Sequence, residues 1–309
     1  MQRLQLSIAA TLAAGLFAGC AFQPDGAWSG SKPLVIAHRG GTGDYPENTL
    51  LAIRQSLADG ADGIWLSVQI SRDNVPVLYR PQDLSALTNA AGPVRDKTVA
   101  ELARVNAAWQ FKRIDAAGVV SYPYREQAPA IPTLREALLV VPPNVPILLD
   151  MKAVPADVQA KAVAQVLDEQ DAWERVRIYS TDAAYQMAFA TYPKARMFES
   201  RDDTRTRLFQ TALGGACQNP PPASSAAGFE YRRDVQVIEK FTLGEGVSKV
   251  RARTWSPNTI ACFRTNPNVE ILAIGINSVE DYRAMACLGV DAVLVDSPRM
   301  MAGRPRCQQ

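Results

Sequence analysis

Short apolar runs alternate with segments of helical spacing along most of the chain. The runs are rich in Val, Ile and Leu and occupy residues 34–37, 64–70, 75–79, 147–151, 176–179, 197–198, 269–276 and 292–295. Between them, apolar side chains recur every three to four residues, as in a helix, over residues 49–57, 156–167, 183–190, 204–213 and 279–288. Asn48 stands where the N-cap of the first helix is expected. The pattern predicts strands that alternate with helices.

Continuous apolar strands joined by helices are typical of a parallel sheet that is buried on both faces. About eight strand–helix units in roughly 280 residues fit a closed (β/α)8 TIM barrel better than an open sheet. We therefore interpret residues 33–309 as a single α/β barrel domain. Residues 82–131 and 214–228 interrupt the alternation, and connections of that length are usually lids, insertions or disordered segments.

The first twenty residues, MQRLQLSIAATLAAGLFAGC, have the layout of an export signal. One Arg precedes an apolar run, residues 6–17, that is shorter than the roughly 20 residues needed to span a bilayer. We interpret residues 1–19 as a signal peptide and residues 20–32 as a lipidated Cys20 followed by a polar tether. A plain secretory signal with an incidental Cys is the alternative. Because Ala follows Cys20, the expected location is the bacterial cell envelope, lipid-anchored in the outer membrane and facing the periplasm.

Composition narrows the range of functions. The 309 residues carry 33 Lys and Arg against 31 Asp and Glu, so the basic excess that is typical of a nucleic-acid binder is missing. The single His excludes a metal site of several histidines and any mechanism that needs two imidazoles. Four Cys follow the predicted tether, at Cys217, Cys262, Cys287 and Cys307. In an oxidising compartment they predict one or two disulfides, and three full pairings are open. Buried free thiols are the alternative.

The single His follows the first predicted strand, in the sequence Ala37-His38-Arg39-Gly40-Gly41. In a barrel, the C-terminal ends of the strands carry the active site. His38 can move protons near neutral pH, and Arg39 offers a planar fork of donors for phosphate oxygens. These residues predict an anion-binding site. A structural His beside a capping Arg is the alternative.

Several motifs occur in the order found in a known family. They are His38-Arg39-Gly40-Gly41, Pro46-Glu47-Asn48-Thr49, Gly60-Ala61-Asp62-Gly63-Ile64, Asp150-Met151-Lys152, Gly289-Val290-Asp291-Ala292 and Asp296-Ser297-Pro298. Over residues 34–298 the chain resembles the glycerophosphodiester phosphodiesterase family, which belongs to the phospholipase-C-like phosphodiesterase barrels. The resemblance covers nearly the whole chain after the predicted tether.

The resemblance implies metal-assisted cleavage of glycerophosphodiesters to glycerol phosphate and an alcohol, with two histidines as acid and base. It implies His38 as a catalytic residue, Arg39 and Lys152 as phosphate ligands, and Glu47 as a supporting residue. We expect Asp150, which keeps an acid at a family position, to be the second catalytic residue. In the family, a Glu-x-Asp pair on the second strand holds the cation, together with an acid two residues before the Lys. That last position is Asp150 here.

The chain departs from the family at three of these positions. Trp65 and Ser67 replace the Glu-x-Asp pair, and Arg80 replaces the second His. Because Mg²⁺ and Ca²⁺ prefer about six or more oxygen ligands, several of them anionic, we expect no tightly bound metal and no other cofactor. Glu47 and Asp150 are weak candidate ligands. Arg80 is expected to bind substrate phosphate, with Trp65 and Ser67 in supporting positions.

An enzyme would still need a second acid or base, since Arg cannot act as a proton shuttle at pH 7. The candidates are Asp150, Glu47, Tyr79 and Glu239. Lys240 would reach an anion if its segment ends a barrel strand, and would otherwise lie in a solvated turn. Trp255 either lines the mouth of the barrel or packs in its wall.

Three hypotheses follow. The first is a glycerophosphodiester phosphodiesterase-like envelope lipoprotein that hydrolyses phosphodiesters in lipid or glycerophosphodiester metabolism without a tightly bound metal. The second is a catalytically inactive family member that binds a phosphate or headgroup, and the third is an enzyme of changed chemistry on the same scaffold. The expected partners are a phosphodiester small molecule or phospholipid headgroup, and the membrane through Cys20. Fold alone does not decide among them.

Overall fold

The computed structural model describes residues 32–304 and residue 307. Its strands are β1 (Leu34–His38), β2 (Gly63–Ile70), β3 (Pro76–Leu78), β4 (Arg113–Ile114), β5 (Val120–Ser121), β6 (Ile147–Met151), β7 (Val176–Tyr179), β8 (Ala226–Glu230), β9 (Arg232–Phe241), β10 (Gly244–Arg253), β11 (Glu270–Ile274) and β12 (Ala292–Val295). Its helices are α1 (Leu50–Ala58), α2 (Val99–Leu102), α3 (Leu134–Val140), α4 (Ala156–Glu169), α5 (Ala184–Phe189), α6 (Arg201–Gly214), α7 (Pro257–Phe263) and α8 (Val279–Leu288).

Seven strands form a parallel sheet in the order β7-β6-β2-β1-β12-β11-β8. Residues 197 and 198 supply the eighth position, because Met197 bridges Ile178 of β7 and Phe198 bridges Ala226 of β8 in parallel. These two bridges close the sheet on itself. The predicted (β/α)8 barrel is confirmed, and β3 is an additional antiparallel strand on the edge of β2.

The barrel interior is packed with the inward side chains of alternate strand residues, as the period of two requires. Its apolar cluster includes Trp65, Leu148, Tyr179, Phe198 and Leu272. The helices cover the outside, with α3 and α4 on one side and α7 and α8 on the other. No helix among the described residues is long and apolar enough to cross a membrane.

The first helix begins one residue later than the sequence pattern indicated. Thr49, and not Asn48, is the N-cap of α1, and its side chain accepts a hydrogen bond from the amide of Ala52. Asn48 has a positive φ of 57°, and its Oδ1 accepts a hydrogen bond from the amide of Ser67 at 2.9 Å. The Asn48 side chain therefore ties the loop to β2.

Both irregular stretches contain regular structure, and the second, residues 214–228, includes the start of β8, a barrel strand that the sequence pattern did not predict. Residues 82–131 contain α2, the short β4–β5 hairpin and an apolar cluster in which Leu84, Val94 and Leu102 pack against Val77 and Ile131. The four Cys form two disulfides, Cys217–Cys262 and Cys287–Cys307. The first disulfide fixes the connection after α6 to α7, and the second fixes the C-terminal segment to α8.

Candidate functional site

The turn after β1 presents His38 and Arg39 at the C-terminal end of the barrel. Arg39, Gly40 and Gly41 all have positive φ, at 52°, 78° and 86°. A Cβ on Gly41 would lie 2.4 Å from Ser56 Oγ, so only glycine lets this turn pack against α1. Strained backbone of this kind is kept where the surrounding structure holds it in place, often at functional sites.

His38 forms a hydrogen-bonded pair with Asp296, the first residue after β12. His38 Nδ1 lies 2.7 Å from Asp296 Oδ1. Asn277 holds the other carboxylate oxygen, because its Nδ2 donates to Asp296 Oδ2 at 2.7 Å. The hydrogen bond from His38 is the main reason that the pKa of Asp296 lies below its usual range. An ionised Asp296 thus receives Nδ1–H, which leaves Nε2 of His38 as the nitrogen able to accept a proton.

Arg39 lies beside the acid of the second motif. Arg39 Nη1 donates to Glu47 Oε2 at 2.7 Å, and Thr42 Oγ1 donates to the same oxygen at 3.2 Å. The other oxygen of Glu47 and the Nε of Arg39 are buried without a hydrogen-bond partner among residues 32–304 and 307. Arg39 therefore keeps unused donor capacity beside His38.

The third group of site residues is Ser67 on β2 with Asp150 and Lys152 on and just after β6. The two strands pair in parallel, and their register places Ser67 beside Asp150. Ser67 Oγ donates to Asp150 Oδ2 at 3.4 Å. Lys152 Nζ lies 2.8 Å from Asp150 Oδ1 in an ion pair with little solvent exposure. Burial raises the pKa of Asp150 above its ordinary value, and the charges of Lys152, Arg39 and His38 oppose that rise. The Asp150 carboxyl therefore lies close enough to His38 and Arg39 for their charges to influence its pKa.

Trp65 occupies the floor of the site. Its side chain is buried, lies edge-on to the His38 ring with centroids 6.5 Å apart, and packs on Tyr179 at 4.9 Å. The indole Nε1 has no hydrogen-bond partner within the described part of the chain. The Trp65 indole thus lies between His38 and Tyr179 as an apolar surface, and it offers one unused donor.

The opposite wall was not anticipated from the sequence. Arg201, the first residue of α6, donates to the Tyr179 hydroxyl at 2.9 Å and binds both carboxylate oxygens of Glu230 at the end of β8. The sequence likewise indicated Asp296 only as part of the Asp296-Ser297-Pro298 motif and gave it no role in the site. The signal that could have found Asp296 is its position just after the C-terminal end of the predicted strand 292–295. Glu230 ends β8, which the sequence pattern did not predict as a strand.

Two candidates for the second acid or base do not fit that role. The Tyr79 hydroxyl donates to the backbone oxygens of Asp83 and Leu84, and burial raises its pKa well above the ordinary value for tyrosine. Glu239 lies in the exposed β9–β10 hairpin and not at a barrel strand end, so it does not serve as the second acid or base. Lys240 lies in the same exposed hairpin, which agrees with its solvated alternative and not with a barrel strand end.

The remaining predicted residues fall near the rim or in the wall. Arg80 is exposed, and its backbone oxygen accepts a hydrogen bond from Gln69 near the C-terminal end of β2. Trp255 packs in the wall, because it is buried and its Nε1 donates to the Phe229 backbone oxygen at 3.0 Å. Cys20 lies outside the described residues.

The donor set does not fit a divalent cation. At the strand positions where the family pattern has two acids, the chain offers an indole and a hydroxyl. The carboxylates that remain, Glu47, Asp150 and Asp296, each lie within 2.8 Å of a basic side chain. Within the described residues, no three His, Cys, Asp or Glu side chains are grouped so that they could hold a metal ion.

A family model matches this architecture over most of the chain. The model described as the glycerophosphoryl diester phosphodiesterase family matches residues 38–300. The chain belongs to this family. The matched residues run from the His38 turn to just beyond the Asp296 loop, and they include every group described above.

Relatives agree with this assignment. An uncharacterized protein of Mycobacterium tuberculosis is 47% identical over 266 residues, which cover 86% of this chain and 87% of that protein. The crystal structure of the glycerophosphoryl diester phosphodiesterase domain of an uncharacterized protein from the same species has a TM-score of 0.81 at 46% identity, and it covers 87% of this chain and 97% of that one.

A more distant solved structure shares the fold. An Oleispira antarctica phosphodiesterase, in complex with the product sn-glycerol-3-phosphate, has a TM-score of 0.62 at 20% identity and covers 87% of this chain and 94% of that one. At that identity the likeness concerns the barrel alone.

Proposed function

We propose that this chain is a glycerophosphodiester phosphodiesterase-like protein that acts on phosphodiesters through His38 and without a tightly bound metal. The observation that carries the proposal is the His38–Asp296 pair, at 2.7 Å, in the first and last strand ends of a family barrel. A His whose Nδ1 is held by a carboxylate is oriented to take a proton at Nε2. Arg39 stands next to it in the chain.

In the proposed reaction, Nε2 of His38 takes the proton from a substrate hydroxyl next to the phosphodiester. The hydroxyl oxygen forms a new bond to phosphorus, and the bond from phosphorus to the alcohol breaks. Arg39, Arg80 and Lys152 stabilise the negative charge that grows on the phosphoryl oxygens. The Asp150–Lys152 pair is the remaining source of a proton for the departing alcohol oxygen. This step leaves a cyclic phosphate. Water opens the ring in a second step, in which the Asp150–Lys152 pair takes a proton from the water and His38 returns its proton to the original hydroxyl oxygen.

A binding role without turnover is the second candidate. It is favoured by one specific observation, which is that the sequence holds a single His and therefore no second imidazole for proton transfer. Loss of one catalytic imidazole typically lowers a rate about 10²–10⁴-fold.

We further propose that the protein is lipid-anchored at Cys20 in the bacterial cell envelope. The support is the sequence of residues 1–20 and the two disulfides, which are typical of exported proteins. Metabolic labelling with a fatty acid, compared between the native chain and Cys20→Ser, tests the anchor directly.

The activity is tested by hydrolysis of a panel of glycerophosphodiesters with wild type, His38→Ala and Arg80→Ala. The enzyme proposal expects His38→Ala to lose about 10²–10⁴-fold in rate and Arg80→Ala to lose affinity. If the wild type is no faster than His38→Ala on any substrate, the enzyme proposal fails. Binding of sn-glycerol 3-phosphate by calorimetry would then separate a binding protein from one without affinity for phosphate.

A further inference from the structure

The β9–β10 hairpin leaves the barrel at the end that carries the candidate site. It starts at Arg232, directly after β8 and Tyr231, and ends at Arg253. At its base Arg232 forms an ion pair with Asp281, with 3.0 Å between Arg232 Nε and Asp281 Oδ2. Arg233 lies 3.4 Å from Glu230. Because Glu230 is part of the site wall, the base of the hairpin is fixed to the rim of the site.

Beyond its base, the hairpin exposes apolar side chains. Leu243 at the turn is fully exposed, and Phe241 is 62% exposed. Val237, Ile238 and Val250 are also exposed. A two-stranded ribbon is marginal in water on its own, and a group of exposed apolar side chains usually marks an interaction surface. The hairpin therefore has the composition of a docking element.

The hairpin also carries a net positive charge. Residues 232–253 hold six Lys and Arg against three Asp and Glu, a net +3, whereas the whole chain carries +2. Strand alternation and the pairing register put five of these six cations on one face, together with Asp234, Glu245, Ile238 and Val247. The other face carries Val235, Val237, Phe241 and Val250, beside the oppositely charged Arg233 and Glu239. One face is thus net positive and suited to anions, and the other face, which is neutral, and the turn are suited to an apolar medium.

A second protrusion at the same end has the same character. The β4–β5 hairpin exposes Ile114, Val119 and Val120, and residues 109–125 hold three Lys and Arg against one Asp. The Arg125 guanidinium lies 3.8 Å from the Tyr122 ring centroid, which holds the base of this hairpin. The insertion that contains it begins next to Arg80, beside the C-terminal end of β2.

We propose that these two hairpins dock the site end of the barrel onto an anionic phospholipid surface. Phe241 and Leu243 enter the acyl region, and the Lys and Arg side chains lie against headgroup phosphates, which is the combination used by interfacial proteins. Two copies of the chain would bring like charges together, which disfavours self-association through the basic faces. The inference does not depend on catalysis, because docking needs no turnover.

Vesicle binding tests the proposal, with residues 21–309 as the parent, so that neither an acyl chain nor the apolar run of the predicted signal peptide contributes. Binding to phosphatidylglycerol–phosphatidylcholine vesicles is compared with binding to pure phosphatidylcholine vesicles by co-sedimentation. The parent is expected to prefer the anionic vesicles. Phe241→Ser with Leu243→Ser should weaken binding at least about tenfold, and Lys249→Glu with Arg251→Glu should do so on anionic vesicles only.

The matched control is Leu139→Ser with Met187→Ser, which removes two exposed apolar side chains from α3 and α5. It should bind vesicles like the parent, and circular dichroism should show every variant folded. The proposal is overturned if the hairpin variants bind like the control, or if the parent binds neutral vesicles equally well. It is also overturned if the hairpin variants change self-association in sedimentation velocity while vesicle binding stays constant. Hydrolysis of a water-soluble diester, measured separately, reports on the proposed function alone.

Discussion

Replacing Asp296 by Asn tests whether the His38–Asp296 pair serves the reaction. The hydrogen bond between His38 Nδ1 and Asp296 Oδ1 is 2.7 Å long, and a bond to a charged partner contributes roughly 1.5–3 kcal/mol. The Asp296 side chain is 39% exposed, so solvent screening puts the expected effect at the lower end of that range. We therefore expect kcat to fall about tenfold.

The assay is steady-state hydrolysis of the best substrate in the panel, with kcat and KM measured separately. KM should change little, because Arg39, Arg80 and Lys152 remain. Asp202→Asn is the control, since it removes a 70% exposed carboxylate from an ion pair on α6. The reasoning is refuted if Asp296→Asn keeps the parental kcat while His38→Ala loses its activity, because the carboxylate would then not orient the imidazole.

Three further predictions follow from the same structure. Lys152→Met leaves the buried Asp150 without its ion partner and should lower the free energy of unfolding by about 3–5 kcal/mol. Adding Asp150→Asn should recover much of that loss, as urea titration will measure. The hydrogen bond from His38 lowers the pKa of Asp296 in the folded protein. It therefore stabilises the fold above the ordinary Asp pKa, and this stabilisation is lost as pH falls through the lower pKa of the folded state. The difference in unfolding free energy between wild type and Asp296→Asn should shrink below about pH 4, as a series of urea titrations will measure. Opening the Cys287–Cys307 disulfide, whose sequence separation is 20, with Cys287→Ala and Cys307→Ala together should cost about 3 kcal/mol of unfolding free energy; an unchanged urea midpoint would contradict it.

The barrel was predictable because most of its strands are apolar on both faces and therefore stand out as continuous runs in the sequence. The exception is β8, which was not predicted as a strand, and the predicted run 75–79 forms the edge strand β3 instead of a barrel strand. Even the short segment at Met197 and Phe198 was visible in this way. His38, Arg39, Ser67 and Asp150 were also predictable, since strand-end residues of a parallel barrel converge on one face.

Other features depend on contacts between distant parts of the chain. Nothing local in the sequence pairs His38 with Asp296, which is 258 positions away, or Arg201 with Glu230. The β9–β10 hairpin escaped prediction for a different reason. Both of its faces are largely exposed, so the buried–exposed alternation that marks a strand is weak. For this reason the sequence left open whether Lys240 lies at a strand end or in a solvated turn.

The central claim is that phosphodiester chemistry in this barrel uses fixed cations around His38 and not a bound divalent ion. The most direct measurement is the hydrolysis rate of wild type before and after exhaustive chelation, with the metal content of the same sample determined by mass spectrometry. The account predicts an unchanged rate after chelation, and its loss in His38→Ala under the same conditions. A rate abolished by chelator and restored by Mg²⁺ or Ca²⁺, or a stoichiometric divalent ion in the purified protein, would contradict it.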